Sequence, residues 1–269
     1  MRQAILGLRE FYASPLGRVA RDMVSRKVAE AWADADGLDI LALGYATPFL
    51  DGLTARARRA VAVMPAGQGV EAWPLRGLNR ACLAGEAALP LANALFDRVL
   101  AVHALEESDN PVALLREVAR VLAPSGRVIL AVTARHGPWA NAETTPFGHG
   151  RPFSRRQLET AVREADLEPM GWTRALYVPP LAWAARWAEG FERAGARLWP
   201  PFAGLILIEA AKQTFAARPV GVRARPRALA RPVFAPAPAQ ARTGRGLGGR
   251  RERVQPWPAR NAQGRQEPP

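Results

Sequence analysis

Two apolar runs, FDRVLAVHAL (96–105) and GRVILAVTA (126–134), enclose a stretch with helical periodicity, and no other feature of the chain restricts its architecture as strongly. Asn110 and Pro111 open that helix, Leu114, Leu115, Val118, Val121 and Leu122 form its apolar stripe, and Pro124-Ser125-Gly126 stops it. Continuously apolar strands joined through a helix predict a βαβ unit, with parallel strands covered on both faces. The alternation extends in both directions. LDILALG (38–44) and ARRAVAVM (57–64) read as earlier strands, and WTRALYV (172–178) and LILIEAA (205–211) as later ones separated by a helix around 181–198. Ser154 caps a further helix running to about Ala165, with Leu158 and Val162 inward. The expectation is an α/β fold with a doubly wound sheet, mostly parallel, with an antiparallel last strand.

Composition divides the chain in two. Residues 218–269 hold 12 of the 37 basic residues and 2 of the 24 acidic ones, a net of +10, which leaves +3 for the first 217 residues. That extension also carries nine prolines and six glycines and few residues able to build a core. It is expected to be a disordered Arg/Pro/Gly-rich tail following a single folded domain over 1–217. Its Arg-Gly elements would bind polyanions weakly and without sequence preference, and 35 of the 37 basic residues are arginine, so a dispensable extension is favoured over a nucleic-acid-modifying role. The string Gly244-x-Gly246-x-x-Gly249 has no strand before it and no helix after it, and is set aside as a dinucleotide motif. Cys82 is the only cysteine, and His103, His136 and His149 lack zinc-ligand spacing, so no metal is expected. Arg9 and Glu10 interrupt the first apolar run, and no run reaches the 18 to 20 residues or so of a membrane span. A soluble, cytoplasmic protein is expected.

Residues 85–132 carry an ordered series: Gly85-Glu86-Ala87, Leu89-Pro90, Phe96-Asp97, Leu105-Glu106, Arg116-Glu117-x-x-Arg120-Val121-Leu122 and Pro124-Ser125-Gly126. This series resembles the class I S-adenosylmethionine-dependent methyltransferases, particularly the small-molecule branch that includes quinone-biosynthesis enzymes. The resemblance extends over about residues 10–215 and implies a Rossmann-like methyltransferase sheet with S-adenosyl-L-methionine at the carboxyl ends of its strands. It implies cofactor contacts at Gly44, Tyr45 and Ala46 after strand one, at Met64 after strand two, at Glu86 and Ala87 facing the adenine, and at His103 after strand four. Tyr12, in the N-terminal helical stretch FYASPLGRVARDMV (11–24), is expected at the methionine carboxylate with Arg18. Two departures stand out. The family's Gly-x-Gly-x-Gly turn retains only Gly44, with Ala46 and Pro48 in the other two places, and the acidic residue after strand two is replaced by Met64 and Pro65, so that either Gln68 or Glu71 reaches back to the ribose or backbone and packing alone hold it. Asp97 reads as a residue that orders the start of its strand.

Methyl transfer from a sulfonium needs alignment and exclusion of water more than acid–base groups, so a sparse catalytic signature is expected. The long loop HGPWANAETTPFGHGRPFS (136–154) is the expected wall for a small, apolar or aromatic acceptor, with His149 as base candidate and Arg151 as anion contact. Trp183, Trp187 and Phe191 recur every four residues. They suit core packing, a lid over an apolar acceptor, or a helix resting on a membrane surface. A methyltransferase is the leading expectation. A catalytically inactive binding or regulatory module of the same fold is the alternative, motivated by the altered turn, and a nicotinamide oxidoreductase ranks last.

Overall fold

A computed structural model describes residues 4–33, 36–213 and 235–236. The predicted tail 218–269 therefore lies outside the described residues, apart from Ala235–Pro236. Among the described residues eight strands form one sheet: β1 (Asp39–Gly44), β2 (Arg59–Pro65), β3 (Ala81–Ala84), β4 (Phe96–Val102), β5 (Leu122–Thr133), β6 (Leu167–Ala175), β7 (Leu205–Lys212) and β8 (Ala235–Pro236). Their spatial order is β3-β2-β1-β4-β5-β7-β6-β8. The first five are parallel, and β7 runs antiparallel to both β5 and β6. The expected α/β, doubly wound sheet is thus present, and its order reverses between β1 and β4, where such sheets hold ligands.

Apolar strands feed two core clusters, one on each face. One face is covered by α1 (Ile5–Ala13), α2 (Pro15–Ala31), the short α3 (Asp51–Thr54) and the turns around them. The other is covered by α4 (Pro111–Val121) and α5 (Arg155–Glu164), which bury Leu114, Leu115, Val118, Leu158 and Val162. Both of these helices start at caps legible in the sequence. The Asn110 side chain accepts the Ala113 N–H at 3.0 Å, and Ser154 and Gln157 form a reciprocal capping box.

Several boundaries differ from expectation, and the strand read over 172–178 is β6, which starts five residues earlier, at Leu167, and ends at Ala175. Leu122 begins β5 rather than ending α4, and Pro124-Ser125-Gly126 lie inside the strand as a bulge, with Ser125 at φ +63°. The 11–24 stretch is broken: Pro15 holds Ser14 extended and starts a second helix, with Ser14 capping it through the Gly17 N–H. A Cβ at Gly17 would collide with the Phe11 carbonyl, so glycine lets the two helices approach. The helix expected at 181–198 opens with a 3-10 segment (Ala182–Trp187) before α6 (Ala188–Leu198).

Candidate functional site

The carboxyl ends of β1, β2, β3 and β4 meet at one edge. β1 leaves through Gly44 at φ +73°, where a side chain would strike the Val102 carbonyl, and that carbonyl accepts the Tyr45 N–H at 2.9 Å. Pro48 then winds Thr47–Phe49 into a 3-10 turn, and Ala46 is fully buried beneath it. Met64, near the end of β2, is also fully buried. The following turn returns Gln68 into the protein, where its Nε2 donates to the His103 carbonyl at 3.3 Å and its Oε1 has no partner. Glu71 instead lies against Tyr45, adding to the burial that raises the tyrosine's pKa. Both candidates for reaching back therefore lie at this edge, Gln68 at the turn after β4 and Glu71 against the residue that follows β1.

His103 bends the chain at the end of β4, at φ +52°. Its ring packs 4.8 Å from Phe147 and shares a 2.7 Å hydrogen bond with the Tyr12 hydroxyl. Burial pushes the imidazole down to about 3, so it is neutral, and burial likewise pushes the Tyr12 phenol well above its ordinary value. Tyr12 stacks on Tyr45 at 5.6 Å and meets Phe49 edge-on at 5.4 Å. Helix α1 is thereby fixed over the strand tips at both ends, because the Ile5 N–H donates to the Gln68 carbonyl at 2.8 Å. Tyr12, Gly44, Tyr45, Ala46 and His103, singled out in the sequence, come together here as a closed aromatic cluster.

Glu86 and Ala87 lie on the open side. With Ala66, Gly67, Gly85 and Asn110 they line a cleft of about 460 Å³ beyond the ends of β2 and β3 and beside the start of α4. The loop 136–154 closes the other flank. Trp139 is fully buried and donates from Nε1 to the Val178 carbonyl at 2.7 Å, and its ring stands edge-on to Phe147 at 5.3 Å. His149 Nε2 is 3.0 Å from the Glu143 carbonyl, within the loop itself. Arg151 donates to the Ser108 and Asp109 carbonyls at 2.5 and 3.3 Å, and its N–H to the Glu106 carbonyl at 2.7 Å. Neither His149 nor Arg151 joins the aromatic cluster. His136 lines a separate cleft with Arg135, Arg156 and Thr160.

The sequence singles out neither Trp139 nor Phe147 within the 136–154 wall, and gives Glu106 a place in the ordered series without a role of its own. Glu106 is buried, accepts the Thr133 N–H at 2.9 Å, and leaves Oε2 without a partner. Burial raises its carboxyl to about 7. Asp97 accepts the Asp39 N–H at 2.9 Å, so it ties the start of β4 to the start of the neighbouring β1 rather than ordering its own strand alone.

Residues 29–130 match the family model for a methyltransferase domain. No curated protein matches the sequence. Among solved structures, the chain is similar to a Thermotoga maritima S-adenosylmethionine-dependent methyltransferase described as a possible histamine N-methyltransferase, at 19% identity over 76% of this chain and 94% of that one, with a TM-score of 0.57. Geranyl diphosphate methyltransferase, in complex with GPP and sinefungin, aligns at 14% identity over 70% and 76% of the two chains, with a TM-score of 0.51. A Burkholderia thailandensis 1,6-didemethyltoxoflavin-N1-methyltransferase, with 1,6-didemethyltoxoflavin and S-adenosylhomocysteine bound, aligns at 21% identity over 71% and 79%, with a TM-score of 0.50. The chain therefore has the Rossmann-like fold of the S-adenosylmethionine-dependent methyltransferases, with a methyltransferase-domain match over residues 29–130.

Proposed function

We propose that this chain is an S-adenosylmethionine-dependent methyltransferase acting on a small apolar or aromatic molecule. The cleft at the strand tips carries the reading: its volume, about 460 Å³, suits the nucleoside half of the cofactor. Glu86 and Ala87 would hold the adenine, and the backbone at Ala66 and Gly67 would follow the ribose. The methionine half belongs beside Gly44 and His103, and there the fit is conditional, because the Tyr12–Tyr45 stack fills that space. Entry of the whole cofactor then requires Tyr12 to part from His103. The bound cofactor supplies an electrophilic methyl group whose leaving sulfur departs neutral. What the chain contributes is alignment and exclusion of water. Trp139 and Phe147 give the 136–154 loop an apolar lining, which is the basis for an apolar or aromatic acceptor. Arg151 acts in this reading by holding the loop to the turn after β4, and His149 serves as base once it leaves the Glu143 carbonyl.

The same stack favours a second reading, a binding module of this fold that does not turn over, since Tyr45 and Tyr12 occupy what the reactive end of the cofactor needs. Calorimetry of the full chain with S-adenosylmethionine and S-adenosylhomocysteine, followed by a methyl-release assay with aromatic acceptors, separates the two. Mutually competitive binding with turnover supports the enzyme, binding without turnover supports the module, and no heat or thermal shift with either ligand at about 1 mM overturns the cofactor assignment itself.

A further inference from the structure

We propose that the segment 181–202 is a docking face for anionic lipid bilayer surfaces, an interaction independent of whether the strand-tip cleft transfers methyl groups. The segment joins β6 to β7. Because β7 is antiparallel to both β5 and β6, it lies at the same sheet edge as the cleft, and it is pinned there by hydrogen bonds from the Gly204 N–H to the Leu176 carbonyl and from the Ala134 N–H to the Gly204 carbonyl, both 2.8 Å.

Its packing inverts the ordinary amphipathic pattern, in which the large apolar residues face the core. Ala184, Ala188 and Gly195 face inward, and Gly195 lies so close to the Tyr177 ring that a Cβ would overlap it. The bulk points outward: Trp183 is 55% exposed, Trp187 63%, Leu198 63%, Trp199 58% and Phe202 59%. Phe191 alone of the three aromatics spaced every four residues packs against the core, so the core-packing account fails for Trp183 and Trp187. Trp187, at the start of α6, and Leu198, Trp199 and Phe202, at and beyond its end, thus place exposed apolar bulk at both ends of the helix.

Charge selects the partner. Arg186, Arg193 and Arg197 are exposed on the same segment. The acidic residues of the helix are engaged elsewhere: Glu189 pairs with Arg26 at 2.7 Å, and Glu192 accepts the Leu176 and Tyr177 N–H groups at 3.2 and 2.8 Å. Among the described residues, Arg186 and Arg197 have no ion pair, so the uncompensated charge of the face is positive. Tryptophan and leucine next to arginine match a headgroup layer, where the rings enter the interface and the guanidinium groups meet lipid phosphates. No described helix is long and apolar enough to cross a membrane, so the contact is with the surface.

The test is co-flotation of the full chain with phosphatidylcholine vesicles, with and without phosphatidylglycerol, alongside tryptophan quenching by brominated acyl chains. Wild type should float with the anionic vesicles and be quenched. The Trp187→Ser/Trp199→Ser variant, and independently Leu198→Gln/Phe202→Gln, should partition about tenfold less and lose most of the quenching while keeping wild-type circular dichroism. All retain the basic tail, so tail-driven binding would appear as equal flotation of wild type and variants, and that result overturns the proposal. So do failure of the wild type to float, and a dimer in sedimentation that the tryptophan substitutions dissolve.

Discussion

Tyr12 and His103 lie 91 residues apart in the chain and share a 2.7 Å hydrogen bond in a buried site that joins α1 to the end of β4. Neither ring charges near neutral pH, because burial keeps the imidazole unprotonated and the phenol protonated. The contact is therefore a neutral hydrogen bond whose loss leaves a polar atom without solvent. Tyr12→Phe should lower stability by about 1–3 kcal/mol in chemical denaturation and speed amide exchange through residues 5–13. Unchanged exchange in that helix would show that it is held mainly by apolar packing.

Tyr45 is the second half of the closure. Its ring stacks on Tyr12, so Tyr45→Ala should open space beside Gly44 at a cost of roughly 3–4 kcal/mol in stability. If the stack competes with the cofactor, this variant binds S-adenosylhomocysteine more tightly than wild type at a temperature where both are folded, and Tyr45→Phe, which keeps the ring, binds as wild type does. Calorimetry on the three proteins reads this directly, and equal affinities would remove Tyr45 from the cofactor path.

The sheet was legible because its strands are buried on both faces and leave an uninterrupted apolar signal, as in β4 and β5. β3 was not, since its four residues, Ala81–Ala84, are half-exposed and too short for a pattern. At the site, Glu86 stands out through the ordered series of residues 85–126, and Gly44 and His103 through their places after the first and fourth strands. The Tyr12–Tyr45 stack was not found, because it depends on the angle at which Pro15 breaks α1 from α2, and no local pattern encodes that angle. The spacing of Trp183 and Trp187 gave their repeat but not their direction, which Gly195 against Tyr177 decides from another element.

Gly44 and Gly85 provide a paired test of what the glycines at this edge do. Gly44 sits at φ +73°, with Val102 and Ala104 against the position of a Cβ, whereas nothing lies within 4 Å of one at Gly85. Gly44→Ala should cost more than about 3 kcal/mol, combining left-handed strain with a backbone collision. Gly85→Ala should stay within about 0.5 kcal/mol of wild type. Thermal melts of both suffice, and a tolerant Gly44 would mean that the β1–β4 junction is less rigid than its hydrogen bonding implies.

Glu106 and His103 give the stability of this edge opposing pH dependences. His103 is depressed from 6.5 to about 3, so the unfolded chain binds more protons between those values and stability falls as the medium is acidified through them. Glu106 is raised from 4.5 to about 7, so the folded chain binds more protons in that interval, and the stability it contributes below 4.5 is lost as pH rises through 7. Glu106→Gln retains an acceptor for the Thr133 N–H and never ionises. Relative to wild type, the variant should therefore gain on the order of 3 kcal/mol between pH 4.5 and pH 8, with the acid-side loss from His103 unchanged. Urea denaturation across that range measures the difference. A difference independent of pH would place the Glu106 carboxylate in a site that solvates its charge, and the loop 136–154, tied to it through Arg151 and Thr133, would then have to be wetter than its packing suggests.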